Sequence, residues 1–281
     1  MSCHYLKSHM IDSYRRQLIN EEHRPSTIEK YLRDLQQFSR WLSGQPVYPH
    51  TAAEWKTALL EQGLAPATIN SKLAALNGFF RHMKWSDCSA RYLKVQRRIF
   101  RDAGRELDRN DYRRLVDTAR NIGNRRLALV METLCGCGIR VSELSYITVE
   151  AARRGRAEVH LKSKIRVILL PARLCRKLLQ YSAKQKIAHG EIFLTASGKR
   201  LSRRQIWAEM KRLAVVAGVA PSKVFPHNLR HLFATAFYAS CHDIVRLADV
   251  LGHSSIETTR IYLITSGVEH QRQLERLGLV L

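Results

Sequence analysis

Apolar residues in the first third of the chain recur at the spacing of α-helices. In RPSTIEKYLRDLQQFSRWL, one apolar stripe runs through Ile28, Leu35 and Leu42, three positions that lie on the same helical face. Ser26, with Glu29 three residues later, forms a candidate capping box in front of this stripe. The pattern predicts an amphipathic helix that begins near Ser26.

The same pattern repeats twice before residue 87. Thr51 and Glu54 form a second candidate capping box, and Gly63 marks the end of the helix that follows it. Apolar residues then line a further helix between positions 69 and 80. We therefore predict an all-helical domain over residues 1–86.

The helical pattern weakens over residues 87–105, where basic residues predominate without a clear apolar face. We interpret this stretch as a basic linker, although a solvated surface helix explains its composition equally well. A second domain, with a C-terminal tail, is expected over residues 106–281.

Most of the second domain also has helical periodicity. Asp108 is a candidate N-cap, and Ser202 begins another capping box. Between them, Val159–Leu161 and Arg166–Leu170 are short β-branched runs that predict a hairpin. The expected fold is mainly α with a small antiparallel β-sheet, in the α+β class.

The charge balance points to a polyanionic partner. The chain has 281 residues, with 47 Lys and Arg against 24 Asp and Glu, a formal net charge of +23. Such a field attracts nucleic acid, although a ribosomal protein or a membrane-surface binder has a similar balance. Nucleic acid is the first partner to consider.

The cysteines show no spacing typical of a zinc knuckle or a disulfide framework, which favours a reducing compartment. They are Cys3, Cys88, Cys135, Cys137, Cys175 and Cys241. The first residues do not resemble a signal peptide, and no apolar run is long enough to span a membrane. We expect a cytoplasmic protein, associated with the nucleoid if DNA is its partner.

Three segments of the second domain carry candidate chemistry. In GCGIRVSEL, the glycines release the chain into a helix whose N-terminal end holds Arg140. A helix N-terminus favours anions, and a guanidinium beside it can bind two phosphate oxygens. Taken alone, such an arginine is more commonly a solvated surface residue.

The segment FPHNLRHLFATAF places His227 and Arg230 three residues apart on one helical face. One phosphate could then receive both proton transfer and charge neutralisation. His227 and His231 also have the spacing of the zinc motif HExxH, but Asn228 replaces its glutamate and no third ligand is evident. A packed or hydrogen-bonded His231 is the better interpretation.

In LADVLGHSSIETTRIYL, Gly252 ends one helix, His253 enters the turn, and Tyr262 lies in the next helix. These residues suit a phosphate donor and a nucleophile. An ordinary turn histidine and a half-buried tyrosine would explain the segment equally well by itself.

Together, GCGIRVSEL, PHNLRHLFAT and LGHSSIETTRIYL resemble, in order and separation, the motifs of the tyrosine recombinases of the phage-integrase type. The resemblance is clearest between Leu107 and Leu263. The helical first third is similar in layout to the core-binding (SAM-like) domain of that family. The resemblance implies a C-shaped clamp around duplex DNA.

The resemblance also implies roles for individual residues. Tyr262 would attack the scissile phosphodiester and form a 3′-phosphotyrosyl link. Arg140 and Arg230 would hold the phosphate, His227 would handle the tyrosine proton, and His253 would contact the phosphate. Such catalysis rests on positioning and electrostatic stabilisation.

Three further positions follow from the family pattern. Glu143 resembles the acidic residue that supports the arginines in the family, and we assign a supporting role to His231 as well. The hairpin lysine that protonates the leaving oxygen matches Lys162 best. The sequence LKSKIRVILLP lacks the usual glycines there, so Lys164 is a rival.

No metal or nucleotide cofactor is expected, because the arginines take the place of a cation and the phosphotyrosine conserves the bond. The expected partners are a double-stranded DNA recombination site and three further copies of the chain, forming a homotetramer on DNA. The segment after the nucleophile, SGVEHQRQLERLGLVL, would dock on a neighbouring protomer or pack in cis.

Two rival functions remain at this point. A type IB topoisomerase shares the tyrosine chemistry but relaxes DNA without exchanging partners, and the helical N-terminal domain favours recombination. A DNA-binding protein without catalysis is the other rival. Against it, every expected catalytic position is filled.

Overall fold

The computed structural model describes residues 3–95, 103–161, 164–253, 255–263 and 275–277. The chain forms two compact units, Met1–Arg97 and Arg98–Leu281. The finer division into residues 1–86, a basic linker over 87–105 and residues 106–281 stays a prediction. Cys88 and Ala90, in the predicted linker, are buried in the core of the first unit.

The first unit is helical. Its described elements are α1 (Ser8–Asn20), α2 (Pro25–Leu42), α3 (Thr51–Glu61), α4 (Pro66–His82) and a 3-10 helix (Ser86–Cys88). Helix α4 packs against the other three α-helices. In the core that these helices form, the ring of Phe38 on α2 meets the ring of Trp55 on α3 edge-on, with 5.1 Å between ring centroids. Because such aromatic side chains bury large apolar areas, they dominate the stability of this core.

Neither predicted capping box of the first unit forms. Helix α2 begins one residue before Ser26, because Pro25 occupies the first helical position and its fixed φ suits a helix start. Helix α3 begins at Thr51 itself, without a side-chain cap. The Thr51 hydroxyl instead accepts the backbone N–H of Tyr48 at 2.9 Å. The predicted helices are present, but their capping residues were wrong.

The second unit contains most of the elements. Its described α-helices and strands are α5 (Arg109–Asn121), α6 (Arg125–Cys137), α7 (Val149–Arg154), β1 (Arg156–Leu161), β2 (Lys164–Leu169), α8 (Ala172–Lys184), α9 (Arg203–Val216), α10 (Pro226–Cys241), α11 (Ile244–Leu251) and α12 (Ile256–Arg260). Short 3-10 helices lie at Ala103–Arg105, Val141–Tyr146, Pro221–Lys223 and Ile261–Leu263. Asp108 and Ser202 cap α5 and α9 through their side chains, as predicted.

Helix α6 is the central element of the second unit. It packs against α5, α8, α9 and α10, and Met131 and Leu134 on it are fully buried. The predicted hairpin is confirmed as the antiparallel pair β1–β2, in which Val159 lies opposite Arg166. The fold is therefore mainly α with a small antiparallel sheet. In the described part of the chain, no helix is long and apolar enough to cross a membrane.

We predict that Asp108→Ala lowers the free energy of unfolding of the second unit by about 1 kcal/mol, because the backbone N–H of Asp111 loses its acceptor at 2.7 Å. Asp117→Ala on the same helix is the matched control, since its exposed ion pair with Arg120 contributes only a few tenths of a kcal/mol. Urea unfolding measures both. Equal losses would contradict the assignment of the cap.

Candidate active site

Arg140 is positioned by the end of α6. Gly138 turns the chain out of the helix with φ +61°, a conformation that favours glycine. A Cβ atom at 138 would also lie 2.3 Å from the Phe233 ring. Arg140 then occupies the N-cap position of the 3-10 helix Val141–Tyr146. The predicted place of Arg140 at a helix start is found, although that helix is 3-10.

Arg230 lies in the first turns of α10 and is 1% exposed. Its Nη1 donates to the carbonyl oxygen of Gly138 at 2.6 Å, and its Nη2 donates to that of Leu251 at 2.8 Å. These two carbonyls belong to the ends of α6 and α11. The guanidinium is therefore fixed by backbone from two helix ends, independently of any ligand.

The Glu143 carboxylate joins three guanidinium groups. It accepts the backbone N–H of Arg140 at 2.7 Å and the Arg140 Nη1 at 3.3 Å. It accepts Arg166 Nη1 on both oxygens, at 2.9 and 3.0 Å, and lies 4.0 Å from Arg230 Nη1. One carboxylate among three guanidinium groups leaves this cluster with excess positive charge. A phosphate diester is the kind of anion that such a cluster binds.

Arg166, on β2, is the member of this cluster that the sequence did not predict. It is 8% exposed, and its Nη2 donates to the carbonyl oxygen of Val250 at 2.7 Å. Its strand neighbours Ile165 and Val167 face outward, at 70% and 51% exposed. The available signal in the sequence was one arginine within an apolar strand. Alternation alone would have placed the strand face that carries Ile165 and Val167 inside, and the face that carries Arg166 outside. The pairing with Glu143 reverses that preference.

His253 follows Gly252, which ends α11 with φ +65°. Its Nε2 lies 2.8 Å from Arg230 Nη2, and its Nδ1 lies 2.9 Å from Thr259 Oγ1. Because a guanidinium only donates, Nε2 must accept, so Nδ1 carries the proton and donates to Thr259. Burial and then the charge of Arg230 lower the His253 pKa to about 4. The ring is therefore neutral at neutral pH.

Tyr262 lies in the 3-10 helix that follows α12 and is 4% exposed. Its ring centroid is 6.0 Å from that of His227, 5.1 Å from that of His231 and 5.8 Å from that of His253. Burial and then the charge of Arg140 lower the Arg230 pKa to about 10, while the neighbouring Tyr262 acts in the opposite direction. Tyr262 thus packs with three imidazoles around its ring, one of which, that of His253, bonds to Arg230.

His227 shares a face of α10 with Arg230, as its spacing predicted. Burial, followed by the charges of Arg230 and Arg140, lowers the pKa of His227 below its ordinary value. A neutral imidazole can accept a proton, which is the state a general base requires.

His231, the third imidazole around Tyr262, has a side chain 17% exposed, with Nε2 3.7 Å from a Glu106 carboxylate oxygen. Among the described residues, His227 and His231 belong to no group of three side chains spaced to hold a metal ion. The structure therefore places His231 as a packing neighbour of Tyr262.

Neither of the two candidate hairpin lysines has a side chain among the described residues. Lys162 lies outside the described residues, and Lys164 is the first residue of β2, with its side chain also outside them. The choice between them stays a prediction. The hairpin itself is connected to the cluster through Arg166 on the same strand.

A cavity of about 590 Å³ opens beside the cluster. Arg140, His227 and Arg230 contribute to its lining, as do Arg203 and the half-exposed Trp207 of α9. Its walls thus combine cationic groups with an aromatic surface. Such a combination suits a nucleic-acid backbone and its bases.

Residues 105–266 match the model of the phage integrase family, and residues 11–87 match that of the phage integrase N-terminal SAM-like domain. The first match alone covers more than half of the chain. The chain belongs to the phage integrase family of tyrosine recombinases. It is therefore an enzyme of the site-specific recombinase class.

Two named tyrosine recombinases are similar to this chain over most of its length. Tyrosine recombinase XerA of Thermococcus kodakarensis is 29% identical over 95% of this chain and 94% of its own length. Tyrosine recombinase XerD of Pseudomonas aeruginosa is 30% identical over 84% of this chain and 86% of its own.

Two solved structures have the same fold. The XerH recombinase bound to its difH substrate has a TM-score of 0.70 at 20% identity, covering 95% of this chain and 84% of that one. A lambda integrase dimer bound to a COC′ core site has a TM-score of 0.73 at 17% identity, covering 92% and 77%. At these identities the likeness concerns the fold of the recombinase.

We predict that Gly252→Ala destabilises the recombinase more than Gly155→Ala does. Both glycines have positive φ, which costs an alanine about 1–2 kcal/mol. A Cβ at 155 meets nothing within 4 Å, whereas a Cβ at 252 would lie 2.4 Å from the Cδ of Arg166. We expect an additional loss of at least about 1 kcal/mol at 252 in urea unfolding. Equal losses would show that Arg166 does not occupy that space.

We also predict a pH dependence from His253. Its folded pKa of about 4 lies below the ordinary 6.5, so the unfolded chain takes up the proton first as pH falls. The free energy of unfolding should therefore decrease from about pH 6.5 towards pH 4. His253→Gln, whose amide oxygen can still accept from Arg230, should decrease less. NMR titration of the ring gives the midpoint directly, and a midpoint near 6.5 would refute the neutral tautomer.

Proposed function

We propose that this recombinase cuts and rejoins DNA at a specific site through a covalent bond between Tyr262 and a 3′-phosphate. The observation that carries the proposal is that the buried Tyr262 ring packs against His227 and His253. His253 in turn bonds to Arg230, within a cluster that Glu143 ties to Arg140. A nucleophile and an excess of positive charge meet there, which is what phosphoryl transfer needs.

In the proposed step, the Tyr262 oxygen forms a bond to phosphorus while the bond from phosphorus to the 5′-oxygen breaks. His227 accepts the phenolic proton, because it is held neutral. The leaving 5′-oxygen takes a proton from a hairpin lysine, for which we favour Lys162 over Lys164. Attack by a 5′-hydroxyl on the phosphotyrosine reverses these transfers and rejoins the strand.

The phosphate replaces a contact that exists inside the site. Arg230 bonds to His253, and a phosphate oxygen can take the place of that partner. Its bonds to the carbonyls of Gly138 and Leu251 can remain, so the guanidinium needs no reorganisation. Preorganised charge of this kind stabilises the transition state more than the ground state.

Duplex DNA is the proposed substrate, and the helical first unit is the proposed core-binding domain. The net charge of +23 supports an affinity dominated by phosphate contacts. XerH and lambda integrase, whose folds are similar, are solved with DNA sites bound. Action on DNA also supports the predicted cytoplasmic, nucleoid-associated location.

We further propose that four copies of the chain assemble on two DNA segments. A lambda integrase tetramer is solved on a Holliday junction, and that likeness of fold supports the assembly. The C-terminal segment SGVEHQRQLERLGLVL, most of which lies outside the described residues, is the proposed contact with a neighbouring protomer. Exchange between two segments is what distinguishes this function from strand relaxation by a type IB topoisomerase.

We predict that the native protein forms an SDS-resistant adduct with a nicked duplex carrying its site, and that Tyr262→Phe forms none. Sequencing the junctions made in cells first supplies the site. Tyr238→Phe is the matched control, because Tyr238 packs on the same apolar cluster and should keep the adduct. An adduct with Tyr262→Phe would exclude Tyr262 as the nucleophile. Relaxation of plasmids that lack any site would favour the topoisomerase.

A second prediction separates catalysis from binding. Arg140→Ala should slow adduct formation by about 10²–10³-fold, because one preorganised donor is lost. DNA affinity should change little, since many other cationic groups contact phosphates. Gel shifts across a salt series measure the affinity, which should fall steeply with salt. An equal loss of affinity and cleavage would mean that Arg140 is only a backbone contact.

A further inference from the structure

We propose that Arg166 is a positioning residue of the active site, which sets how much positive charge Arg140 presents to the scissile phosphate. The inference rests on the proposed function and adds a residue to its machinery. Arg166 lies on β2, in the hairpin, and bonds to Glu143 and to the carbonyl oxygen of Val250. It would therefore act through these groups and not by touching the phosphate.

The first step of the argument is how Arg166 shares the Glu143 carboxylate. Arg166 Nη1 bonds both oxygens of Glu143, at 2.9 and 3.0 Å, whereas Arg140 Nη1 bonds one, at 3.3 Å. Glu143 is 1% exposed and Arg166 is 8% exposed, so solvent screens their interaction weakly. The carboxylate charge is therefore directed mainly at Arg166, and the Arg140 side chain, 42% exposed, keeps most of its own.

The second step is what the loss of Arg166 would release. A buried carboxylate without its closest partner is costly, so Glu143 would turn to the nearest remaining guanidinium, that of Arg140. A tighter pair with Glu143 would neutralise Arg140 and draw it from the cavity. The phosphate would then lose a clamp residue that is still present in the sequence.

The third step is the position of the other Arg166 contact. Its Nη2 donates to the carbonyl oxygen of Val250 at 2.7 Å, and its Cδ fills the space that any Cβ at Gly252 would need. The residue after Gly252 is His253. One guanidinium thus spans the hairpin, the Arg140 turn and the chain segment that carries His253.

A merely structural salt bridge would have the same contacts without this effect, and the chain provides one for comparison. Arg126 donates to the Glu209 carboxylate at 2.8 Å and to the Leu194 carbonyl at 3.0 Å. These partners lie outside the cluster formed by Glu143, Arg140 and Arg230. Arg126→Met therefore also removes a guanidinium that bonds a carboxylate and a backbone carbonyl, and serves as the control for Arg166→Met.

The experiment uses the full chain and two nicked duplexes that differ at the scissile position. One has the natural phosphodiester, and the other has a methylphosphonate, in which a methyl group replaces a non-bridging oxygen and removes the negative charge. A reaction at a neutral phosphorus depends less on cationic clamps. Single-turnover rates of adduct formation with Tyr262 give, for each variant, the ratio of methylphosphonate to phosphodiester reaction.

We expect Arg166→Met to slow the phosphodiester reaction and to raise this ratio by at least about tenfold over native, as the loss of clamp charge requires. Arg126→Met should leave the ratio at the native value. A fall of both rates by the same factor in Arg166→Met, or an equal rise in Arg126→Met, would overturn the proposal. Failure of the native protein to form any adduct would instead refute the proposed function.

A second variant protects the test against misfolding. Arg166→Lys keeps the charge near Glu143, but a single ammonium cannot reach both the carboxylate and the Val250 carbonyl in the same geometry. We expect a ratio between those of native and Arg166→Met, with circular dichroism and thermal unfolding as checks of folding. A ratio equal to native in a folded Arg166→Lys protein whose two rates have both fallen would contradict the charge-sharing argument.

Discussion

The second unit depends on one buried carboxylate. Glu143 holds Arg140 through its backbone and side chain, holds Arg166 through both oxygens and lies 4.0 Å from Arg230. Removing one partner of such a buried group costs about 3–5 kcal/mol, so the positions of the three arginines depend on one another through Glu143. One negative charge is shared among three positive ones, so the contacts that stabilise this cluster also leave it with a net positive charge. The contacts that stabilise the fold therefore leave an excess of positive charge at the proposed phosphate site.

Helix ends convert this interaction into a precise geometry. Gly138 and Gly252 each leave a helix with positive φ, and each delivers a site residue directly afterwards or within two positions. Arg230 then spans the two ends by bonding the carbonyls of Gly138 and Leu251. Carbonyls that a helix terminus leaves unpaired thus become the fixed support of a cation. Arg230 is therefore held in place by backbone carbonyls before any anion binds.

Burial and the same positive field together determine the protonation state of the two histidines. Burial and neighbouring guanidinium groups lower the pKa of His227 and bring that of His253 to about 4. Both rings are consequently neutral at the pH of a cell. His227 can therefore accept a proton, while His253 keeps one defined tautomer through Thr259. Burial and neighbouring charge thus favour the neutral form of both rings, and hydrogen bonds to Arg230 and Thr259 orient His253.

Local sequence determined the elements and most of the site. Helical periodicity, the Asp108 and Ser202 caps and the hairpin are short-range features, because each depends on residues a few positions apart. The motifs around Arg140, Arg230 and Tyr262 are likewise short contiguous segments, so the sequence shows them directly. The role of Arg166 was decided only by tertiary structure, because strand alternation favours the opposite face and Glu143, which reverses that preference, lies 23 residues away. The pairing of a buried charge is a long-range contact that no local pattern records.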